Sequence, residues 1–193
     1  MRRIAITLAG LVCAAAAFAA PAAAYEIDPL TRQPIEYADQ TYRPQATVIP
    51  REVVPFSSRY GAGTIVISTA ERRLYYTLGG GQAIRYAVGV GRPGFEWSGV
   101  RSIGIKREWP DWRPPAQMLR RRPDLPRYMS GGPDNPLGAR AMYIGGTLYR
   151  IHGSNEPETI GQAVSSGCIR MTNEDVIDLY DRARVGTRVV VQR

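Results

Sequence analysis

Thr64-Ile65-Val66-Ile67-Ser68 and Arg73-Leu74-Tyr75-Tyr76-Thr77 are two β-branched and aromatic runs separated by the polar turn Thr69 to Arg72. Such side chains suit a pleated, half-buried surface, and their spacing predicts a β-hairpin. Leu78-Gly79-Gly80-Gly81 breaks the second run, Ala83 to Val90 reads as a third strand, and Val100 to Arg107 as a fourth. Ala141 to Ile144 and Leu148 to Ile151 form a further pair around Gly145-Gly146. Short strands joined by glycine turns predict a mainly β fold with minor α, arranged as a β-sandwich or partly closed barrel. One C-terminal helix is expected. Thr172 caps it, Asp175 takes its third position, Val176, Leu179, Tyr180 and Ala183 share an apolar face, and Gly186 supplies the exit before a last strand at Thr187 to Val191.

Between the fourth and fifth strands, Glu108 to Asn135 interrupts the pattern with prolines that forbid a long regular element, although Pro115 to Arg121 can make one short helix. A connection of that length in a compact domain is a functional loop or a disordered one. It is read as lid-like, with Trp109, Trp112, Tyr128 and Arg120 to Arg122 available to line a groove. The alternative is a solvated arginine-rich excursion pinned by its tryptophans.

At the other end of the chain, Arg2 and Arg3 precede an apolar run from Ile4 to Phe18 and a small-residue stretch ending at Ala24. That is the pattern of a cleaved secretory signal peptide over residues 1–24. The expected destination is the periplasm or cell envelope. Residues 25–60, rich in proline and polar side chains, read as a linker, and 61–193 as the functional domain. The 193 residues carry 25 basic and 17 acidic side chains, a net +8 that falls to +6 once Arg2 and Arg3 leave with the leader. Such a balance suits a polyanionic surface or carboxylate-bearing substrates, and export argues against nucleic acid.

Loss of the leader also removes Cys13, so Cys168 has no partner for an intramolecular disulfide. It lies in Ser165-Ser166-Gly167-Cys168-Ile169-Arg170, sixteen residues after the chain's single histidine, His152, which is followed by Gly153. A thiol and an imidazole brought together can form a thiolate–imidazolium pair, the nucleophilic state that acyl transfer needs. On this reading Cys168 is the nucleophile and His152 the general base and acid. The backbone N–H groups of Gly167 and Cys168 are the expected oxyanion donors. Candidate substrate contacts are Arg170, Ser166, Gly153, Tyr143 and Trp109. Arg170 can pair with a substrate carboxylate or form a salt bridge to Asp175 or Glu174. A helix start just after Cys168 would favour thiolate if its dipole faced the sulfur. One histidine and one cysteine supply too few ligands for a typical zinc site.

Ile151-His152-Gly153, Asn155-Glu156-Pro157, Ile160-Gly161 and the run Ser165 to Asn173, with Asp175 and Leu179-Tyr180 beyond, strongly resemble the L,D-transpeptidase catalytic domain of bacterial cell-wall enzymes. Trp109 to Pro114 and Asn135-Pro136-Leu137-Gly138 extend the likeness, which covers roughly residues 61–192. Many members have a second histidine where Ser166 stands. The resemblance implies a β-rich fold, no cofactor, and a donor stem peptide of peptidoglycan ending in a diamino acid and D-Ala. Cys168 would release D-Ala, hold the stem as a thioester and pass it to an amine. That amine belongs to a second stem, giving a 3-3 cross-link, or to an envelope protein, giving a wall anchor. Water as acceptor would make the enzyme a carboxypeptidase. Carbapenems are expected to acylate Cys168. Two competing readings are a papain-like endopeptidase, disfavoured because its cysteine ordinarily precedes its histidine, and a catalytically silent wall-binding module.

Overall fold

The computed structural model describes residues 49–57 and 59–193. The signal peptide and most of the linker read from the sequence lie outside the described residues. Eleven strands and two helices follow in chain order: β1 Glu52–Pro55, β2 Ile65–Ser68, β3 Arg73–Gly79, β4 Gln82–Ala87, β5 Val90–Gly91, β6 Gly99–Glu108, α1 Ala116–Arg121, β7 Arg140–Ile144, β8 Arg150–His152, β9 Ala163–Ser165, β10 Ile169–Arg170, α2 Asn173–Arg182 and β11 Arg188–Gln192. A single 3-10 turn, Pro157–Thr159, lies between β8 and β9.

Nine strands make one sheet in the order β1-β4-β3-β2-β11-β6-β7-β8-β10, and β5 pairs with β9 in a separate ribbon. The hairpin read from residues 64–77 is β2 and β3, antiparallel with Ile65 opposite Tyr76. Beside it lies the last strand, β11, parallel to β2. β6 is the hinge of the sheet. Its first half pairs with β11, its second half pairs with β7, and the register shifts between Ile103 and Ile105. A bulge of this kind bends a strand and increases its twist. The result is two wings sharing one long strand, so the barrel expected from the sequence is not closed. The wings approach at one isolated bridge, where Gly89 and Arg170 exchange both backbone hydrogen bonds at 2.9 Å.

One further expectation changes. Residues 52–55, left in the linker by their prolines, form β1 and pair with β4 along the edge. The short helix allowed at Pro115 to Arg121 is α1, with Pro115 at its N-cap. The C-terminal helix obeys its sequence closely. Thr172 Oγ accepts from the Asp175 N–H at 3.3 Å, and Val176, Leu179 and Ala183 are fully buried. Burying Val176 or Leu179 contributes about 1.5–3 kcal/mol each. They join Met142, Ile151 and Ile169 in the core cluster, so the inner residues of β7, β8 and β10 belong to the same core as α2. The alternate residues of those strands are left to form the site.

Candidate active site

β8 and β10 run parallel, with Ile151 opposite Ile169 and His152 opposite Arg170. Paired residues project to one side of a sheet and successive residues alternate. Ile151 and Ile169 are wholly buried in the core, whereas Arg150, Cys168 and Arg170 are half-buried. On β7, Ala141 lies opposite His152 and Tyr143 opposite Arg150. Tyr143, Arg150, His152 and Arg170 therefore share one face, with Cys168 at its margin just before β10.

The His152 ring is 4% exposed, and its Nδ1 lies 2.6 Å from the Gly153 carbonyl oxygen. A carbonyl can only accept, so Nδ1 carries the proton and Nε2 keeps the lone pair. Burial pushes the imidazole down to about 3; Arg170 and Arg150 act in the same direction, against the carbonyls of Gly153 and Pro136. The resting ring is neutral. Desolvation disfavours imidazolium in the unloaded site.

Gly153 is buried rather than presented to substrate. A Cβ there would lie 2.2 Å from Asn173 Oδ1, the atom that accepts the Ala139 N–H at 2.9 Å. Its contribution is the carbonyl that fixes the His152 tautomer. Trp109, another expected contact, is tied by its own N–H to the Ala139 carbonyl at 2.8 Å and backed by Gly131. It thus anchors the start of the long loop. Tyr143 does lie on the site face, with the Arg150 guanidinium 5.1 Å from its ring centroid.

The nucleophile turn is ordered by the serine before the expected one. Ser165 Oγ accepts the Gly167 N–H at 3.0 Å and donates to the Cys168 carbonyl at 2.6 Å. The Gly167 N–H is thereby engaged, which corrects its assignment as an oxyanion donor. The Cys168 N–H finds no acceptor among the described residues. Arg170 also differs from expectation: its Nη1 lies 2.7 Å from Glu156 Oε2, whereas Asp175 takes Arg51 at 3.0 Å. The α2 dipole does not reach the sulfur. Three residues lie between Cys168 and Thr172; the four steps span about 13 Å at strand rise, and dipole effects fade within one turn.

Four residues of this neighbourhood, Trp97, Tyr149, Phe95 and Arg92, escaped the sequence reading. Trp97 Nε1 donates to the Gly167 carbonyl at 2.9 Å, and its ring stacks on Tyr149 at 4.8 Å and 6°. Phe95 packs its carbonyl toward Gly91 and Gly167. Arg92 and, from α1, Arg121 lie over the Phe95 ring at 4.3 and 5.2 Å, so the long loop does reach this side of the site. Tyr149, three residues before His152 on the same hairpin, was the one signal available. A tryptophan in a glycine-rich connection carries none.

A model of the YkuD L,D-transpeptidase catalytic domain matches residues 62–191. The chain belongs to this family. It is 39% identical over 156 residues to the Escherichia coli protein named "Probable L,D-transpeptidase ErfK/SrfK", covering 76% of this chain and 48% of that one. The chain thus spans about half the length of the curated relatives it matches. A solved Brucella melitensis structure, named as a probable carnitine operon oxidoreductase, is 46% identical with a TM-score of 0.51, over 75% of this chain and 94% of that one. That name and the family disagree, and the family match rests on most of the domain. L,D-transpeptidase 3 of Mycobacterium tuberculosis shares the fold at a TM-score of 0.56 and 18% identity, over 67% of this chain and 60% of that one.

Proposed function

We propose that the protein is an exported peptidoglycan L,D-transpeptidase with Cys168 as nucleophile and His152 as base. The observation that carries this is the 2.6 Å contact of His152 Nδ1 with the Gly153 carbonyl: it favours the Nδ1–H tautomer, and so a lone pair on Nε2, on the face that ends at Cys168. The family supplies the donor, a stem tetrapeptide ending in diaminopimelate and D-Ala. Sγ adds to the carbonyl of the diaminopimelate L-centre as its proton passes to Nε2. The C–N bond then breaks, D-Ala leaves with that proton, and a thioester remains. An acceptor amine on a second stem or an envelope protein adds to the thioester and gives its proton to His152. Collapse restores the thiol. The Cys168 N–H is the backbone donor available to the oxyanion in both halves.

Because Arg170 is committed to Glu156, recognition of a donor carboxylate falls to Arg150. It stands beside His152 on the site face, and its Nε is buried without a hydrogen-bond partner. Carbapenem acylation of Cys168 belongs to the same reading. A structure that shares the fold, the LD transpeptidase LdtMt1, is solved with imipenem, at 14% identity and a TM-score of 0.52.

Mass spectrometry of the protein with a disaccharide-tetrapeptide tests the proposal. Release of D-Ala with a thioester on Cys168, absent from Cys168→Ala, is expected, and supplied amines then identify the acceptor. Binding of the wall fragment with neither adduct nor D-Ala would replace the enzyme by a silent wall-binding module.

A further inference from the structure

The peptide joining Gly167 to Cys168 is held from its carbonyl end. The Trp97 Nε1–H donates to the Gly167 oxygen at 2.9 Å. In a planar trans peptide the C=O and the following N–H point in opposite directions, so fixing one aims the other. The indole is itself held, stacked on Tyr149 with centroids 4.8 Å apart. The Tyr149 ring fills the space beside Gly167, where a Cβ would come within 2.4 Å of Cε1. Gly167 sits at φ +105°, a conformation that L side chains rarely adopt. Ser165 Oγ occupies the Gly167 N–H and the Cys168 carbonyl, as described. Every other polar group of this dipeptide is thus tied, and the unspent Cys168 N–H has a fixed direction.

We propose that Trp97, backed by Tyr149, is a positioning residue that aims the Cys168 N–H at the oxyanion formed when Sγ adds to an acyl carbonyl. This rests on the acyl-transfer reading above. Trp97 acts through one amide and needs no contact with the reacting atoms. A hydrogen bond accepted by the carbonyl also polarises the N–H of the same amide and strengthens it as a donor.

Trp97→Phe keeps an aromatic ring over Tyr149 and removes the N–H. Two reagents separate its effect on the oxyanion from any effect on the thiol or the fold. Imipenem acylates by addition to its β-lactam carbonyl, through an oxyanion. Iodoacetamide alkylates by displacement: the S–C bond forms, iodide leaves, the thiol proton is lost, and no oxyanion develops. The variant should be acylated about tenfold or more slowly, since removing an oxyanion donor outright costs a hundredfold or more. Its alkylation rate should equal that of the native protein. Tyr149→Ala should follow Trp97→Phe, and Tyr149→Phe should not. Equal slowing of both reactions would reduce Trp97 to a structural prop and overturn the proposal, as would no slowing of either. A native protein that is alkylated but never acylated would instead sink the acyl-transfer reading itself, and this inference with it.

Discussion

His152 is kept neutral by burial, and that neutrality carries a cost in acid. In the unfolded chain an imidazole binds a proton near its ordinary 6.5, whereas the folded site resists until about 3. The unfolded state therefore holds more protons across that window, and the stability linked to His152 is complete above 6.5 and lost as pH falls toward 3. Chemical denaturation at stepped pH should show the native protein losing stability faster than His152→Gln over this interval. Parallel slopes would mean the ring is not desolvated as the structure shows. Arg150 gives the second prediction at this scale. Replacing it with glutamine should raise the donor KM roughly ten- to a hundredfold, the worth of a charge-assisted hydrogen bond, with kcat changed less. A donor amidated at the recognised carboxylate should be indifferent to the change, and equal losses on both donors would remove Arg150 from recognition. At this scale the candidate pair was open to reading because the sequence holds one histidine and the described residues hold one cysteine. Ser165 was not, since two adjacent serines look alike until one of them closes the turn.

The elements divide in the same way, by whether their length carries a period. β2, β3, β4, β6 and β7 each span four to ten residues with an apolar pattern, and α2 has a cap, a buried face and a glycine exit. β5 and β10 have two residues each and β9 has three, too few for alternation to register, although they seat Cys168. β1 was hidden differently, as an edge strand with little burial that ends in Pro55. Its attachment is electrostatic as well as hydrogen-bonded. Arg51, just before it, reaches Asp175 at 3.0 Å and lies 3.8 Å from Asp178, both on α2. Asp175 is 1% exposed, and burial holds its carboxyl above the usual carboxylate range even with Arg51 beside it. Removing the partner of a buried charge costs about 3–5 kcal/mol; with the arginine side chain 43% exposed, about 1–3 kcal/mol is expected of Arg51→Ala. The loss should be greatest near neutrality and shrink as acid protonates Asp175, since a neutral carboxyl has little use for the guanidinium. It should also largely vanish in an Asp175→Asn background. An undiminished loss in that background would place the value of Arg51 in packing alone.

At the largest scale, the sheet sets the geometry of the candidate site, and the net charge bears on how the proposed substrate is approached. Two wings diverging from β6 meet again where Gly89 bonds Arg170, and the parallel β8–β10 pair at that seam sets His152 at the end of β8 and Cys168 just before β10. The whole chain carries a net +8, while peptidoglycan stems are rich in carboxylates. Attraction of that origin is screened over roughly 8 Å at physiological salt and 3 Å near 1 M. Co-sedimentation with purified wall should therefore be strong in dilute buffer and fall steeply as sodium chloride is raised. Cys168→Ala should sediment like the native protein at every salt concentration and yet release no D-Ala. That pairing separates capture, a property of the charged surface, from turnover, a property of one sulfur. Sedimentation indifferent to salt would show that the stem is held by specific contacts in the site and that the net charge contributes nothing to capture.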